Sequence, residues 1–268
     1  MSLTKGSGPF GERPAGTFNF RREGPERVLY WEPSPRRVRV VFAGETVADS
    51  RRAKLLHEEG LLPVYYFPAG DLRQDLLEPS SRRTRCPWKG DAAYWSVRVG
   101  DRVASDAVWG YDRPLDGAPP LAHHRAFRWD ALDHWYEEDE EVFVHPRDPY
   151  SRIDVRASDR HVRVVVDGEV VAESRRPRVL FETGLPPRYY LRPEDVRTDR
   201  LERTDTRTGC AYKGFATYWS VQAEGGAIQD AVWGYEDPFH DGQPVRGCLC
   251  FDPRKVRVEV DGAPLPAA

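Results

Sequence analysis

The chain has 268 residues, 40% of them hydrophobic and 31% charged, with a formal net charge of -3. That length accommodates two domains of ordinary size, and the nearly balanced charge gives no general attraction to nucleic acid or to a membrane surface. No apolar run approaches the ~18 residues that span a bilayer, and the opening Met1–Gly16 stretch lacks the apolar centre of a secretory signal, so a cytoplasmic protein with no membrane or nucleic-acid partner is expected.

Residues 1–16, rich in Gly, Pro and polar side chains, read as a disordered lead. A first domain occupies 17–141. It opens on an extended arm, Val28-Leu29-Tyr30-Trp31-Glu32-Pro33, and continues with Val38–Phe42 and Thr46–Ala48, a hairpin around Ala43-Gly44-Glu45. Leu61–Phe67 is a Pro-led strand, and Pro68-Ala69-Gly70-Asp71 is a turn or one-turn helix with Asp71 as its cap. Tyr94–Val99 and Val103–Tyr111 are two further strands joined around Gly100-Asp101, while Phe127–Trp135 fits a strand or a short helix equally well. The acidic run Glu137–Glu141 reads as a solvated linker face. A second domain, 142–262, opens on Val142–Pro146 and repeats the series, with Asp167-Gly168 strengthening its hairpin turn; 263–268 is a tail. The period is two almost throughout, with no long 3.6-residue stripe. The fold class is therefore mainly β with minor helix: two homologous small antiparallel β sandwiches or barrels.

The repetition is gapless. Val38–Pro114 and Val162–Pro238 align at a constant offset of 124, the difference between Cys210 and Cys86, with roughly half the positions identical. Two units are too few for a solenoid. Identical spacing is what a fused homodimer leaves behind, so a monomer with an internal pseudo-dimer, its halves in a pseudo-twofold arrangement, is expected.

The two copies also filter the chemistry. No His is shared; His57 faces Phe181 and His123 faces Gly247. If both copies work alike, Ser-His-Asp, Cys-His and His-metal chemistry are disfavoured. The four cysteines are Cys86, Cys210, Cys248 and Cys250, a set without the paired knuckles of a zinc site or the density of a disulfide scaffold, and no metal or cofactor is expected. Both copies keep Thr84-x-Cys86-x-x-Lys89-Gly90-x-Ala92-x-Tyr94-Trp95-Ser96 and Thr208-x-Cys210-x-x-Lys213-Gly214-x-Ala216-x-Tyr218-Trp219-Ser220. An ammonium beside a thiol favours the nucleophilic thiolate, Lys can itself act as a base, and a Gly after Lys permits a turn that folds Lys back toward Cys. Glu58, and Glu182 in the second copy, flank apolar residues and are the first choice for a carboxylate paired to Lys. The catalytic candidates are thus Cys86, Lys89 and Glu58 with Cys210, Lys213 and Glu182. Tyr65, Tyr94 and Trp109, with Tyr189, Tyr218 and Trp233, are the aromatic candidates for lining a ligand pocket. A small-molecule pocket per repeat is the leading reading, beside an enzyme using Cys, Lys and Glu and a structural module in which side chains fill the pocket.

Thr-x-Cys-Pro-Trp-Lys-Gly-x-Ala-x-Tyr-Trp-Ser-Val, followed by Ala-Val-Trp-Gly-Tyr-x-x-Pro, resembles the DUF427 family, a domain of unknown function common in bacteria. Val-Ala-Asp-Ser-x-Arg and Pro-x-Tyr-Tyr-Phe-Pro fit it as well, and the resemblance covers about 38–136 and 162–258. It implies a small β-rich domain present here in tandem. The family carries a nucleotidyltransferase-like label, for which the chain has neither a paired-carboxylate metal motif nor a phosphate loop. The second copy departs from the pattern at Ala211 and Phe215, where the first has Pro87 and Asp91, so the two sites are not expected to be equivalent.

Overall fold

The computed structural model describes residues 3–21 and 23–267; residues 1, 2 and 268, at the ends of the expected lead and tail, lie outside the described residues. The chain divides into two compact units, 1–150 and 151–268. The first holds β1 (Leu29–Pro33), β2 (Val38–Phe42), β3 (Glu45–Ser50), β4 (Lys54–Glu58), β5 (Val64–Pro68), β6 (Leu77–Cys86), β7 (Gly90–Val99), β8 (Arg102–Gly110), β9 (His124–Phe127), β10 (His134–Glu137) and β11 (Glu140–Val142). They form a seven-stranded sheet, β1-β4-β5-β9-β8-β7-β6, and a four-stranded sheet, β11-β10-β2-β3. All the pairings between them are antiparallel.

The second unit repeats the plan with β12 (Ile153–Ala157), β13 (Val162–Val166), β14 (Glu169–Ser174), β15 (Arg178–Glu182), β16 (Arg188–Leu191), β17 (Leu201–Cys210), β18 (Gly214–Val221), β19 (Ile228–Gly234), β20 (Leu249–Phe251), β21 (Arg257–Val260) and β22 (Ala263–Pro264). Its sheets run β12-β15-β16-β20-β19-β18-β17 and β14-β13-β21-β22. Among the described residues helix is confined to short 3-10 turns. Among the described residues no sheet closes into a barrel, which narrows the expected sandwich or barrel to sandwich-like open sheets. No described helix is long and apolar enough to cross a membrane.

In each unit apolar side chains from both sheets meet. Val38, Val40, Val47 and Trp135 of the smaller sheet pack with Leu55, Tyr65, Phe67, Val97, Val108 and Phe127 of the larger one. Val164, Val171 and Val258 meet Val179, Tyr189, Leu191, Val232 and Phe251 in the same way. Full burial of such a side chain contributes roughly 1.5–3 kcal/mol, so this layer dominates each unit's stability. The β2–β3 hairpin turns through Ala43 and Gly44, both at positive φ (50° and 81°), and its counterpart through Asp167 and Gly168 (51° and 82°). Those angles describe the primed turn that matches strand twist.

Several local expectations change. The acidic run is a hairpin between β10 and β11 rather than a linker. Within it Glu137 is buried, accepting from the Tyr65 hydroxyl at 2.8 Å and pairing with Arg36 at 2.8 Å. Phe127–Trp135 resolves into the end of β9, a 3-10 turn at Trp129–Ala131 and the start of β10. Ala263–Pro264, expected in the tail, pairs with β21. The lead carries turns, and the Thr4 hydroxyl reaches the Glu58 carbonyl at 3.3 Å. Asp71 does not cap its turn. It accepts from the Ser50 hydroxyl at 2.6 Å and pairs with Arg52, as Asp195 does with Ser174 and Arg176. Arg51-Arg52 and Arg175-Arg176, matched in the two copies, thus each supply one structural tie.

Candidate functional site

Side chains alternate across a strand, so the neighbours of the core residues face away from the smaller sheet. That outer face is also apolar. Leu56, Tyr66, Ala92, Tyr111, Leu121 and Ala126 cluster there, with Trp31, Cys86, Tyr94 and Trp109 half-buried against them. The second unit has Leu180, Tyr190, Ala216, Tyr235, Val245 and Cys250 with Tyr218 and Trp233.

The Cys-x-x-Lys-Gly corner joins β6 to β7, with Cys86 opposite Gly90 across the pair. Gly90 has φ 105°, and a Cβ there would lie 3.1 Å from the Arg113 carbonyl oxygen. Both conditions require Gly. The Lys89 carbonyl accepts from the Leu115 amide at 3.2 Å, fixing the corner and turning the Lys89 side chain inward, where it is buried. Its ammonium is hydrogen-bonded to the Glu58 carboxylate at the end of β4. Glu58 is buried too, and its second oxygen accepts from Arg27 at 3.2 Å.

The Lys89 nitrogen also lies 5.7 Å from the centroid of the Tyr111 ring. Burial raises the Tyr111 phenol above its ordinary range, and the nearby Cys86, Tyr94 and Glu58 raise it further. Burial likewise raises Tyr66, with Tyr111, Glu58 and Cys86 adding to it. Glu58, Lys89, Cys86, Tyr66 and Tyr111 therefore converge at one end of the outer face. Trp109 donates to the Tyr66 hydroxyl at 3.3 Å, and Tyr94 shares a 2.9 Å hydrogen bond with Thr84.

The second unit reproduces the arrangement. Lys213 pairs with Glu182, Trp233 donates to Tyr190 at 3.1 Å, and Thr208 meets Tyr218 at 2.8 Å. Gly214 has φ 95° and Phe239 packs at 3.1 Å from where its Cβ would be. Cys210 and Glu182, after burial, raise Tyr235. Besides Ala211-Tyr212 in place of Pro87-Trp88, three features differ. The position of Arg27 is Ser151, so Glu182 has no second cation at hydrogen-bonding distance among the described residues. Phe215 stands exposed where Asp91 pairs with Arg85. Cys250 replaces Ala126, and burial pushes its thiol up to about 12.

Of the residues singled out from sequence, Cys86, Lys89, Glu58, Tyr94 and Trp109 share the outer face, as do Cys210, Lys213, Glu182, Tyr218 and Trp233. Tyr65 and Tyr189 do not; they lie in the layer between the sheets. Their sequence neighbours Tyr66 and Tyr190 occupy the outer face instead. Tyr111, Tyr235 and Arg27 complete the set, and the first two were visible as retained aromatics. Ser96 and Asp106 turn out to hold a bulge between β7 and β8: Asp106 has φ 50° and donates its amide to the Ser96 hydroxyl at 3.1 Å. Among the described residues no group of three His, Cys, Asp or Glu side chains is placed to hold a metal.

A family model described as a domain of unknown function (DUF427) matches the chain twice, over residues 30–138 and 154–262. No curated protein matches the chain.

Proposed function

Taking as its premise that the chain belongs to the DUF427 family and carries the domain twice, we propose that each repeat is a small-molecule-binding domain whose site is the outer face of the seven-stranded sheet. The site in the first repeat is Glu58, Lys89 and Cys86 with Tyr66, Tyr94, Trp109 and Tyr111; in the second it is Glu182, Lys213 and Cys210 with Tyr190, Tyr218, Trp233 and Tyr235. The observation that carries this reading is the buried Lys–Glu pair kept in both copies. A buried ion pair contributes little or nothing to stability compared with apolar residues of the same volume, yet two copies that differ at about half their positions both retain it. The pair is electroneutral and offers a donor and an acceptor side by side between aromatic rings. Its complement is a planar metabolite of low net charge with a polar edge.

A thermal-shift screen of the full chain against planar metabolites tests the proposal. A ligand that raises the melting temperature should lose its effect in Trp109→Leu and weaken in Tyr94→Phe. A broad screen without a stabilising compound would overturn it. The placement of Cys86 at the same corner favours a second reading, in which its thiolate attacks the bound ligand. Alkylation of Cys86 by iodoacetamide, followed against pH, should then show a midpoint well below the ordinary 8.5 of a free thiol; a midpoint at or above that value removes this reading and leaves binding alone.

A further inference from the structure

In the first unit the Arg125 guanidinium lies over the Trp95 ring, 4.3 Å from its centroid. The same group pairs with Asp112 at 2.9 Å, and the Arg125 side chain is only 14% exposed. A Cβ at Gly110 would lie 2.7 Å from both an Arg125 terminal nitrogen and the His124 carbonyl oxygen, so the glycine admits the close approach of the β9 backbone and, with it, this cation. A planar cation thus fills a slot made of an aromatic face, a carboxylate and a glycine.

The second unit keeps the slot and loses the cation. At the constant offset, Trp95, Gly110 and Asp112 become Trp219, Gly234 and Glu236, but Arg125 becomes Leu249. Leucine is shorter and uncharged. What remains is a cavity of about 360 Å³ whose lining includes Trp219, Gly234, Glu236, Leu249, Tyr235 and Arg203. That volume lies in the range of small-molecule sites. We propose that this cavity binds a small planar cation, a guanidinium or amidinium compound, in the place that Arg125 fills in the first unit.

The chemistry favours a guanidinium over an ammonium. Trp is the strongest aromatic partner for a cation, and a flat guanidinium stacks on it while presenting paired N–H groups to a carboxylate, which a compact, strongly hydrated ammonium does not. Arg203 is the built-in competitor. It holds Glu236 through two hydrogen bonds of 2.9 Å from β17, but with both side chains about half exposed such a pair is weak and readily exchanged. Its counterpart in the first unit is Pro79, so this contact belongs to the second unit alone. Removing Arg203 leaves only the Thr217 hydroxyl, at 3.4 Å, donating to the carboxylate.

The test is an NMR titration of the full chain with methylguanidinium, following the Trp219 indole, with methylammonium as control. One saturable site for methylguanidinium is expected, at least tenfold weaker for methylammonium. Glu236→Gln should weaken binding at least tenfold, Leu249→Arg should abolish it by refilling the slot, and Arg203→Ala should strengthen it severalfold. If Leu249→Arg does not fold, Arg125→Leu supplies the converse: emptying the first slot should create a second methylguanidinium site beside Trp95. Absence of a saturable shift at Trp219, equal binding of methylammonium, or indifference to Glu236→Gln overturns the proposal.

Discussion

Replacing Lys89 or Lys213 by Met removes an ammonium from a buried pair while nearly preserving side-chain volume, and the two units should respond differently. In Lys213→Met the Glu182 carboxylate loses the only cation at hydrogen-bonding distance among the described residues. Orphaning a buried charge costs about 3–5 kcal/mol. The carboxylate has one escape, which is to take up a proton. At pH 7, for an acid that ordinarily titrates near 4.3, that costs about 3.7 kcal/mol at 1.36 kcal/mol per pH unit, so the loss in the second unit should be about 3–4 kcal/mol. In Lys89→Met the Glu58 carboxylate keeps Arg27 at 3.2 Å. A charge-assisted bond of this kind is worth about 1.5–3 kcal/mol, discounted here because the Arg27 side chain is 37% exposed. The loss should therefore be about 2 kcal/mol. The protonation escape also fixes a sign. A buried carboxyl held neutral is stable below the ordinary carboxylate range and loses stability as pH rises, so the Lys213→Met defect should shrink by about 1.4 kcal/mol per unit on going from pH 7 to pH 5. Urea unfolding of the full-length variants at both pH values measures this, with the altered unit melting in its own earlier transition. A Lys213→Met variant no weaker than Lys89→Met, or a defect that does not shrink toward pH 5, would refute the reasoning.

Alkaline titration should separate two classes of tyrosine. Burial raises the phenols of Tyr65, Tyr66, Tyr111, Tyr190 and Tyr235. Their contribution to stability is complete below the ordinary tyrosine value near 10 and falls as pH rises past it, because the unfolded chain releases protons that the folded one retains. Tyrosinate absorbance should therefore rise in two phases, the second coinciding with loss of circular dichroism; one smooth phase centred near 10 would contradict it. Gly90→Ala and Gly214→Ala should each cost roughly 1–3 kcal/mol, since both positions combine positive φ with a neighbour 3.1 Å from the new Cβ. Gly44→Ala, at positive φ in open space, should cost less, and equal losses in a melting series would show that packing at the corner is unimportant.

The sequence carried the existence of strands β2, β3, β5, β7 and β8 because each alternates or ends at a Gly-containing turn, though not their order in the sheets. It also carried the Lys–Glu pairing, since both members recur in the two copies. It could not orient Val64-Tyr65-Tyr66-Phe67. When both faces of a strand are covered by apolar side chains, alternation disappears and parity is undetermined, so Tyr65 stood in for Tyr66. The long edge strands β6 and β17 were hidden for the opposite reason. Their residues are exposed on both faces, leaving no apolar period to read. The Arg125 slot escaped because its partners Trp95, Asp112 and Arg125 are distant in sequence and the last is unmatched in the second copy.

A polypeptide that holds two half-identical sheets faces a hazard during synthesis. The unsatisfied rim of one sheet is tethered to its sister at an effective concentration of about millimolar, and homologous neighbours mispair readily. β6 and β17 are the rims of the two large sheets. One reads Leu-Glu-Pro-Ser-Ser-Arg-Arg-Thr-Arg-Cys and the other Leu-Glu-Arg-Thr-Asp-Thr-Arg-Thr-Gly-Cys. Charge and the lack of an apolar stripe make both poor templates for a foreign strand, and in β6 Pro79 adds a position without an amide proton. The arginine-rich stretch of the first copy thus lies along the open rim of its sheet, where its charge leaves little for a sister strand to pair with.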